Sequence, residues 1–230
     1  MNSIERQFYH VSNFALKIFN LIIISIFLQF RFKILLTLAI ASIASEAVIF
    51  NCSFLTNSWV TIEDAYTCQA TVVQSRKQET IDEVRGNHWI GRTNSDVDLI
   101  SFYYQDLPII PRNVNKFFPN LKGVQVFASN LTKLSAEDLK QFSNLRVFTS
   151  YANPIKNLES NLFNATPNLE WIAFYENSIE NVGKGIFKSL NKLNHADFRA
   201  NTCVDFQAWT RNEIIELESK FDEKCATNEQ

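Results

Sequence analysis

A return every 24 residues is the feature that most constrains this chain. Residues Ile172–Asn177 read IAFYEN. The chain reads FTSYAN at Phe148–Asn153, 24 residues earlier, and ADFRAN at Ala196–Asn201, 24 residues later. A domain built around one central core has no reason to repeat at a fixed interval. A chain of stacked, equivalent coils does, because each coil then shows its neighbours the same inner face.

Counting Leu121 as position 1 extends the register. Position 1 is Val97, Leu121, Leu145, Leu169 and Leu193; position 4 is Ile100, Val124, Phe148, Ile172 and Ala196. Position 6 is Phe102, Val126, Ser150, Phe174 and Phe198; position 9 is Gln105, Ser129, Asn153, Asn177 and Asn201. Position 11 is Leu107, Leu131, Ile155, Ile179 and Cys203. Only Ser150, Gln105 and Ser129 depart from the template L-x-x-L-x-L-x-x-N-x-L, with any apolar residue allowed at the L sites. Position 14 is apolar throughout (Ile110, Leu134, Leu158, Val182, Phe206), and Leu139, Phe163 and Phe187 share position 19. Alternation around positions 3–7 predicts a short strand that points 4 and 6 inward. Position 9 predicts a turn off the sheet, its amide serving backbone groups left unpaired there. Positions 11, 14 and 19 close the far side of each coil. The expected fold is an α/β repeat solenoid, a horseshoe with a parallel concave β-sheet, its repeat array spanning 97–202.

This period and template are the leucine-rich-repeat signature. The chain resembles the extracellular leucine-rich-repeat proteins over roughly residues 50–225, and more closely the small secreted insect members. The strings that carry the closer resemblance are Cys52…Tyr66-Thr67-Cys68, Phe117-Phe118-Pro119-Asn120-Leu121 and Asp197-Phe198-Arg199-Ala200-Asn201.

An array of coils needs a cover at each end. Residues 48–96 lack the period and read as an N-terminal cap; 203–230 read as a C-terminal cap. In the latter, Ile214, Ile215, Leu217 and Phe221 suit one face of a helix. Residues 1–47 are a secretory leader: two apolar blocks, Ile18–Phe30 and Ile34–Ile43, flank Arg31-Phe32-Lys33 and run into the small residues ASIASEA. Cleavage is expected after Ala44 or Ala47, and the alternative is an uncleaved signal-anchor holding the chain at a membrane. All four cysteines, Cys52, Cys68, Cys203 and Cys225, follow the leader. An even count in a secreted chain reads as disulfides. Three pairings are possible; two local pairs, one near each end, favour Cys52–Cys68 and Cys203–Cys225.

The net charge of −2 gives no polyelectrolyte field for nucleic acid. Metal-ligand spacing, a phosphate-binding glycine loop and a C-x-x-C motif are all missing from the sequence, so no metal or cofactor is expected. Of the three histidines, His10 lies in the leader, His88 in the N-terminal cap and His195 on the concave face. His195 and Asp197 could form a base and its orienter, but no nucleophile stands beside them, and a surface polar pair is the plainer reading. The chain reads as no enzyme.

Binding is the better reading. Position 7 runs Tyr103, Phe127, Tyr151, Tyr175 and Arg199, an aromatic ladder ending in a cation. Beside it stand Trp171 and His195 at position 3 and Asp197 at position 5. Aromatic rings on adjacent strands offer rigid contact area with polar handles; the competing reading is that they only stabilise the sheet. The expected partner is an extracellular protein or glycan. Sequons at Asn51, Asn130 and Asn164 permit glycosylation. Asn130 and Asn164, at positions 10 and 20, point away from the ladder; Asn51 abuts a cap cysteine.

Overall fold

In a computed structural model the structure describes residues 48–73 and 80–225. The leader at 1–47, with its cleavage sites and His10, lies outside the described residues. The chain from residue 48 forms β1 (Val48–Trp59), β2 (Ile62–Val73), β3 (Ile81–Arg85), β4 (Leu99–Tyr103) and β5 (Gly123–Phe127). It continues with β6 (Val147–Tyr151), β7 (Asn157–Leu158), β8 (Trp171–Ala173), β9 (Asn181–Val182), β10 (His195–Asp197) and β11 (Gln207–Ala208). A helix at Arg211–Lys224 follows.

These strands build a leucine-rich-repeat solenoid. One nine-stranded sheet has the order β11-β10-β8-β6-β5-β4-β2-β1-β3. Its centre is parallel and in perfect 24-residue register: Leu99, Gly123, Val147, Trp171 and His195 lie side by side. The register follows from the sequence, since a slip of one residue would turn every inward side chain to the other face. The template residues at positions 1, 4, 6, 9 and 11 line the inside of the coils. All those at positions 1, 4 and 6 are buried, including Ser150. On the far side β7 and β9 pair in parallel, and Leu139, Phe163 and Phe187 close the core. Phenylalanines form its C-terminal spine. Phe148, Phe174 and Phe198 pack with tilted rings 5.3–5.7 Å apart, and Phe221 of the helix meets Phe198 edge-on at 5.0 Å.

The position-9 residues hold successive coils together. Asn153 Oδ1 accepts from the backbone N–H groups of Ser129 and Leu131, while its Nδ2 donates to the carbonyl of Val126. Asn177 Nδ2 donates to Ser150 O, and Asn201 Nδ2 donates to Phe174 O while its Oδ1 accepts from Ile179 N. The two departures from asparagine do the same work. Ser129 Oγ accepts from Gln105 N and donates to Phe127 O; Gln105 Oε1 accepts from Val72 N in the preceding hairpin. Ser150, the misfit at position 6, accepts from Asn153 Nδ2 and so belongs to the same network.

One feature of the turn is absent from the template. Position 8 has positive φ in every coil: Tyr104, Ala128, Ala152, Glu176 and Ala200 lie between 46° and 56°. The left-handed backbone swings the chain off the sheet, at about 1 kcal/mol per non-glycine residue.

The ends are closed differently. At the N-terminus β1 and β2 form an antiparallel hairpin, and β2 pairs in parallel with β4, so the hairpin extends the sheet. Cys52 and Cys68 join its two strands. Residues 86–96 pack on the hairpin through His88, which stacks on Phe54 at 3.9 Å and hydrogen-bonds Tyr66 and Asn94. At the C-terminus Cys203 bonds Cys225 at the end of the helix. Thr210 caps that helix by accepting from Glu213 N. Ile214, Leu217 and Phe221 are buried against the last coil, but Ile215 is exposed, against the expectation that it shares their face. Its position, one residue after Ile214, is about 100° further round the helix.

Candidate functional site

The concave face carries positions 3, 5 and 7 of five adjacent strands. Four strand spacings make it about 19 Å long, and rows 3 and 7 stand about 13 Å apart. The three rows differ in chemistry and in exposure.

Row 7 holds the aromatic ladder. Tyr103, Phe127, Tyr151 and Tyr175 are each half-buried, and Arg199 is exposed. The rings meet as pairs. Tyr103 lies 6.0 Å from Phe127, which Tyr104 also contacts edge-on at 5.3 Å. Tyr151 meets Tyr175 edge-on at 6.2 Å, and the Arg199 guanidinium stands 5.4 Å from the Tyr175 ring centre. The Tyr103 hydroxyl donates to Gln125 Oε1 at 2.7 Å. Burial raises the phenol pKa of Tyr103 and of Tyr151.

Row 5 is the floor: Ser101, Gln125, Thr149, Ala173 and Asp197, all buried. Asp197 is fully engaged. Arg199 donates to it through Nε and Nη2 at 2.9 and 2.7 Å, and Gln207 Nε2 donates at 3.3 Å.

Row 3 is where the sequence expectation needs correcting. It reads Leu99, Gly123, Val147, Trp171 and His195, and segments outside the repeats cover it. At one end the tip of the N-terminal hairpin folds over the sheet. Trp59 and Ile62 lie so close to Gly123 that a β-carbon there would stand 2.9 Å from the Trp59 ring and 3.1 Å from Ile62 Cδ1. Ile62 and Ala65 form a dry cluster with Leu99 and Val147. Arg146 ties the tip down by donating to Thr61 O at 3.2 Å while binding Glu170 with both nitrogens of one guanidinium edge.

At the other end Trp209 covers His195. The imidazole stacks on Trp171 at 3.4 Å, and the Trp209 ring centre lies 4.2 Å away. The local sequence positions Trp209: it precedes the helix cap Thr210, and its backbone N–H donates to Glu213 Oε2 at 2.7 Å. His195 is therefore 2% exposed, and burial lowers its pKa from 6.5 to about 4. His195 and Asp197 are not the surface polar pair expected of them. Asp197 is held by Arg199 and Gln207, and His195 Nδ1 is unpaired. Trp209 itself had no place in the sequence-derived site. Its only signal was a bulky aromatic immediately before a T-x-x-E helix start.

The remaining named residues lie elsewhere. Asn51, Asn130 and Asn164 are exposed. Asn130 Nδ2 donates to Asp106, and the Thr166 hydroxyl of the Asn164 sequon is buried, donating to Phe163 O. Among the described residues no group of His, Cys, Asp and Glu could hold a metal ion, and no helix is long and apolar enough to cross a membrane.

No family model matches the chain, and no curated protein matches it. Two solved structures of the Toll–Spatzle complex, described as a molecular hub in Drosophila development and innate immunity, are similar to it. One aligns at 18% identity with a TM-score of 0.44, covering 54% of this chain and 17% of that one. The other, a glycosylated form, aligns at 20% identity with a TM-score of 0.44, covering 46% and 14%. The chain thus spans less than a fifth of the length of either.

Proposed function

We propose that this chain is a secreted leucine-rich-repeat recognition protein that binds an extracellular protein or glycan on its concave face and performs no chemistry. The observation that carries the reading is row 7. Four half-exposed aromatics stand in one line on rigid parallel strands, beside an arginine already oriented by Asp197. Rings fixed in this way contribute contact area without losing much freedom on binding, which is why Tyr, Trp and Arg dominate recognition surfaces. A disulfide at each end suits an oxidising compartment. In this reading 1–47 is the leader, 48–96 and 203–230 are caps to the 97–202 array, and Asn130 and Asn164 carry glycans on surfaces away from the ladder.

Two measurements test it. Expression in insect cells should yield a product in the medium beginning near residue 45 or 48. A membrane-retained chain that keeps residues 1–47 would overturn secretion. The immobilised protein should retain a partner from a panel of secreted proteins and glycans. The Tyr151→Ala/Tyr175→Ala variant should lose that partner while keeping its circular dichroism. Equal retention by the folded variant would remove the concave face from the reading.

A further inference from the structure

We infer that the C-terminal half of the concave face is a site for a neutral sugar ring of a glycan, received between Trp209 and the floor formed by Thr149, Trp171 and His195. The inference rests on the recognition function proposed above and names the ligand chemistry of one part of that face.

Its basis is a set of unpaired polar atoms. Thr149 Oγ1, Trp171 Nε1 and His195 Nδ1 are buried and have no hydrogen-bond partner. Thr149 and His195 are 0% and 2% exposed. All three belong to neighbouring strands, with Val147 beside Trp171 and Trp171 beside His195 in one row and Thr149 beside Ala173 in the next. Each such atom is destabilising while it lacks a partner. Native proteins retain few of them, and a ligand that completes them is one reason to do so.

Trp209 lies over two of the three, Trp171 and His195. Trp209 is 58% exposed, touches Trp171 edge-on at 5.5 Å, and is anchored through its backbone rather than its ring. Turning the indole outward, as the inference requires, opens the His195 face. The turned ring then forms one wall of the opening.

The chemistry of the opening selects the ligand. Trp171 Nε1 only donates, the Thr149 hydroxyl donates or accepts, and His195 Nδ1 follows its tautomer. A pyranose meets that mixture: its C–H face packs on an aromatic ring, and the hydroxyls around its edge both donate and accept. An anion is disfavoured, because the charges of Asp197 and Arg199 cancel in their bidentate pair and His195 is neutral at pH 7. An extended peptide gains less here. β6, β8 and β10 are each paired on both sides, so they offer it no backbone edge. Phe, Tyr or Trp of a peptide brings at most one polar atom with its ring.

The test titrates the full secreted protein with three neutral oligosaccharides, cellohexaose, chitohexaose and laminarihexaose, following tryptophan fluorescence and heat. At least one should give a saturable signal. Trp209→Ala and Thr149→Val should each weaken it about tenfold or more, and Trp89→Ala, on the exposed loop of the N-terminal end, should leave it unchanged. No saturable signal with any of the three, or binding that survives both site variants, overturns the inference. The two readings fail separately. Should a deglycosylated protein partner be retained through Tyr151 and Tyr175 while no oligosaccharide binds, recognition stands and the sugar site falls.

Discussion

Both ends of row 3 are roofed by a tryptophan from outside the repeats, yet the two roofs cover opposite chemistry. Trp59 and Ile62 lie on Leu99, Gly123 and Val147, an apolar contact made intimate by the missing side chain of Gly123. Trp209 lies on Trp171 and His195, where polar atoms go without partners. The same topological act therefore has two consequences. The N-terminal roof excludes water from an apolar surface and contributes stability, and its single unpartnered polar atom, Thr61 Oγ1, belongs to the roof and not to the row beneath. The C-terminal roof shuts in groups that would hydrogen-bond if something were brought to them.

That contrast can be broken at four points, taken from the largest effect to the smallest. Trp59→Ala should lower unfolding stability by about 3 kcal/mol, the lower end for a large aromatic because the ring is only partly buried; a urea midpoint unchanged from wild type would show that the hairpin tip is not a structural roof. Acid should act at the other end. The folded His195 pKa of about 4 lies below its ordinary 6.5, so the unfolded chain binds the proton first. Stability is complete above pH 6.5 and falls on the order of 2 kcal/mol as pH drops toward 4. His195→Gln should flatten the slope between pH 6.5 and 4.5, and a parallel slope in that variant would place the titration elsewhere. Gly123→Ala should cost about 1 kcal/mol, since the added carbon would meet Leu99 Cδ1 at 2.8 Å as well as Trp59; an unchanged melting temperature would mean the tip shifts freely. Trp209→Ala should change stability by no more than about 0.5 kcal/mol and raise the His195 pKa toward 6.5, visible in the imidazole proton shifts. A loss as large as that of Trp59→Ala would erase the distinction between the roofs.

The solenoid was legible because its causes are local and repeated. Leu121, Leu145, Leu169 and Leu193 face the same way for the same reason, so one coil explains the next. The exceptions were readable only afterwards. Ser129 and Gln105 look like defects in a template, and become substitutes for asparagine once the coil before each is seen. Position 8 was invisible: Tyr, Ala, Ala, Glu and Ala give no hint of positive φ, which the coil imposes and glycine would have announced. The roofs escaped because they are contacts between unlike parts of the chain, Trp59 with residue 123 and Trp209 with residue 195, and periodicity is silent on such pairs. Gly123 was the one available clue, a missing side chain in a row of Leu99, Val147, Trp171 and His195. The ladder was placed by alternation alone, but its pairing into Tyr103–Phe127 and Tyr151–Tyr175 depends on rotamers. Ile215 was assigned to the buried face of its helix by hydrophobicity when its angle placed it outside.

The direction of the position-9 hydrogen bonds has a bearing on biogenesis. Asn153 completes the turn at Ser129 and Leu131, Asn201 completes the turn at Ile179, and even Gln105 reaches back to Val72. Each amide serves the coil that precedes it. A ribosome delivers the chain in the other order, N-terminus first. A coil thus carries open backbone groups until about one further repeat has followed it. In the last coil, which no further repeat follows, residues just beyond the turn take over: Asp205 Oδ1 accepts from Ala200 N and Val204 O accepts from Asn201 N.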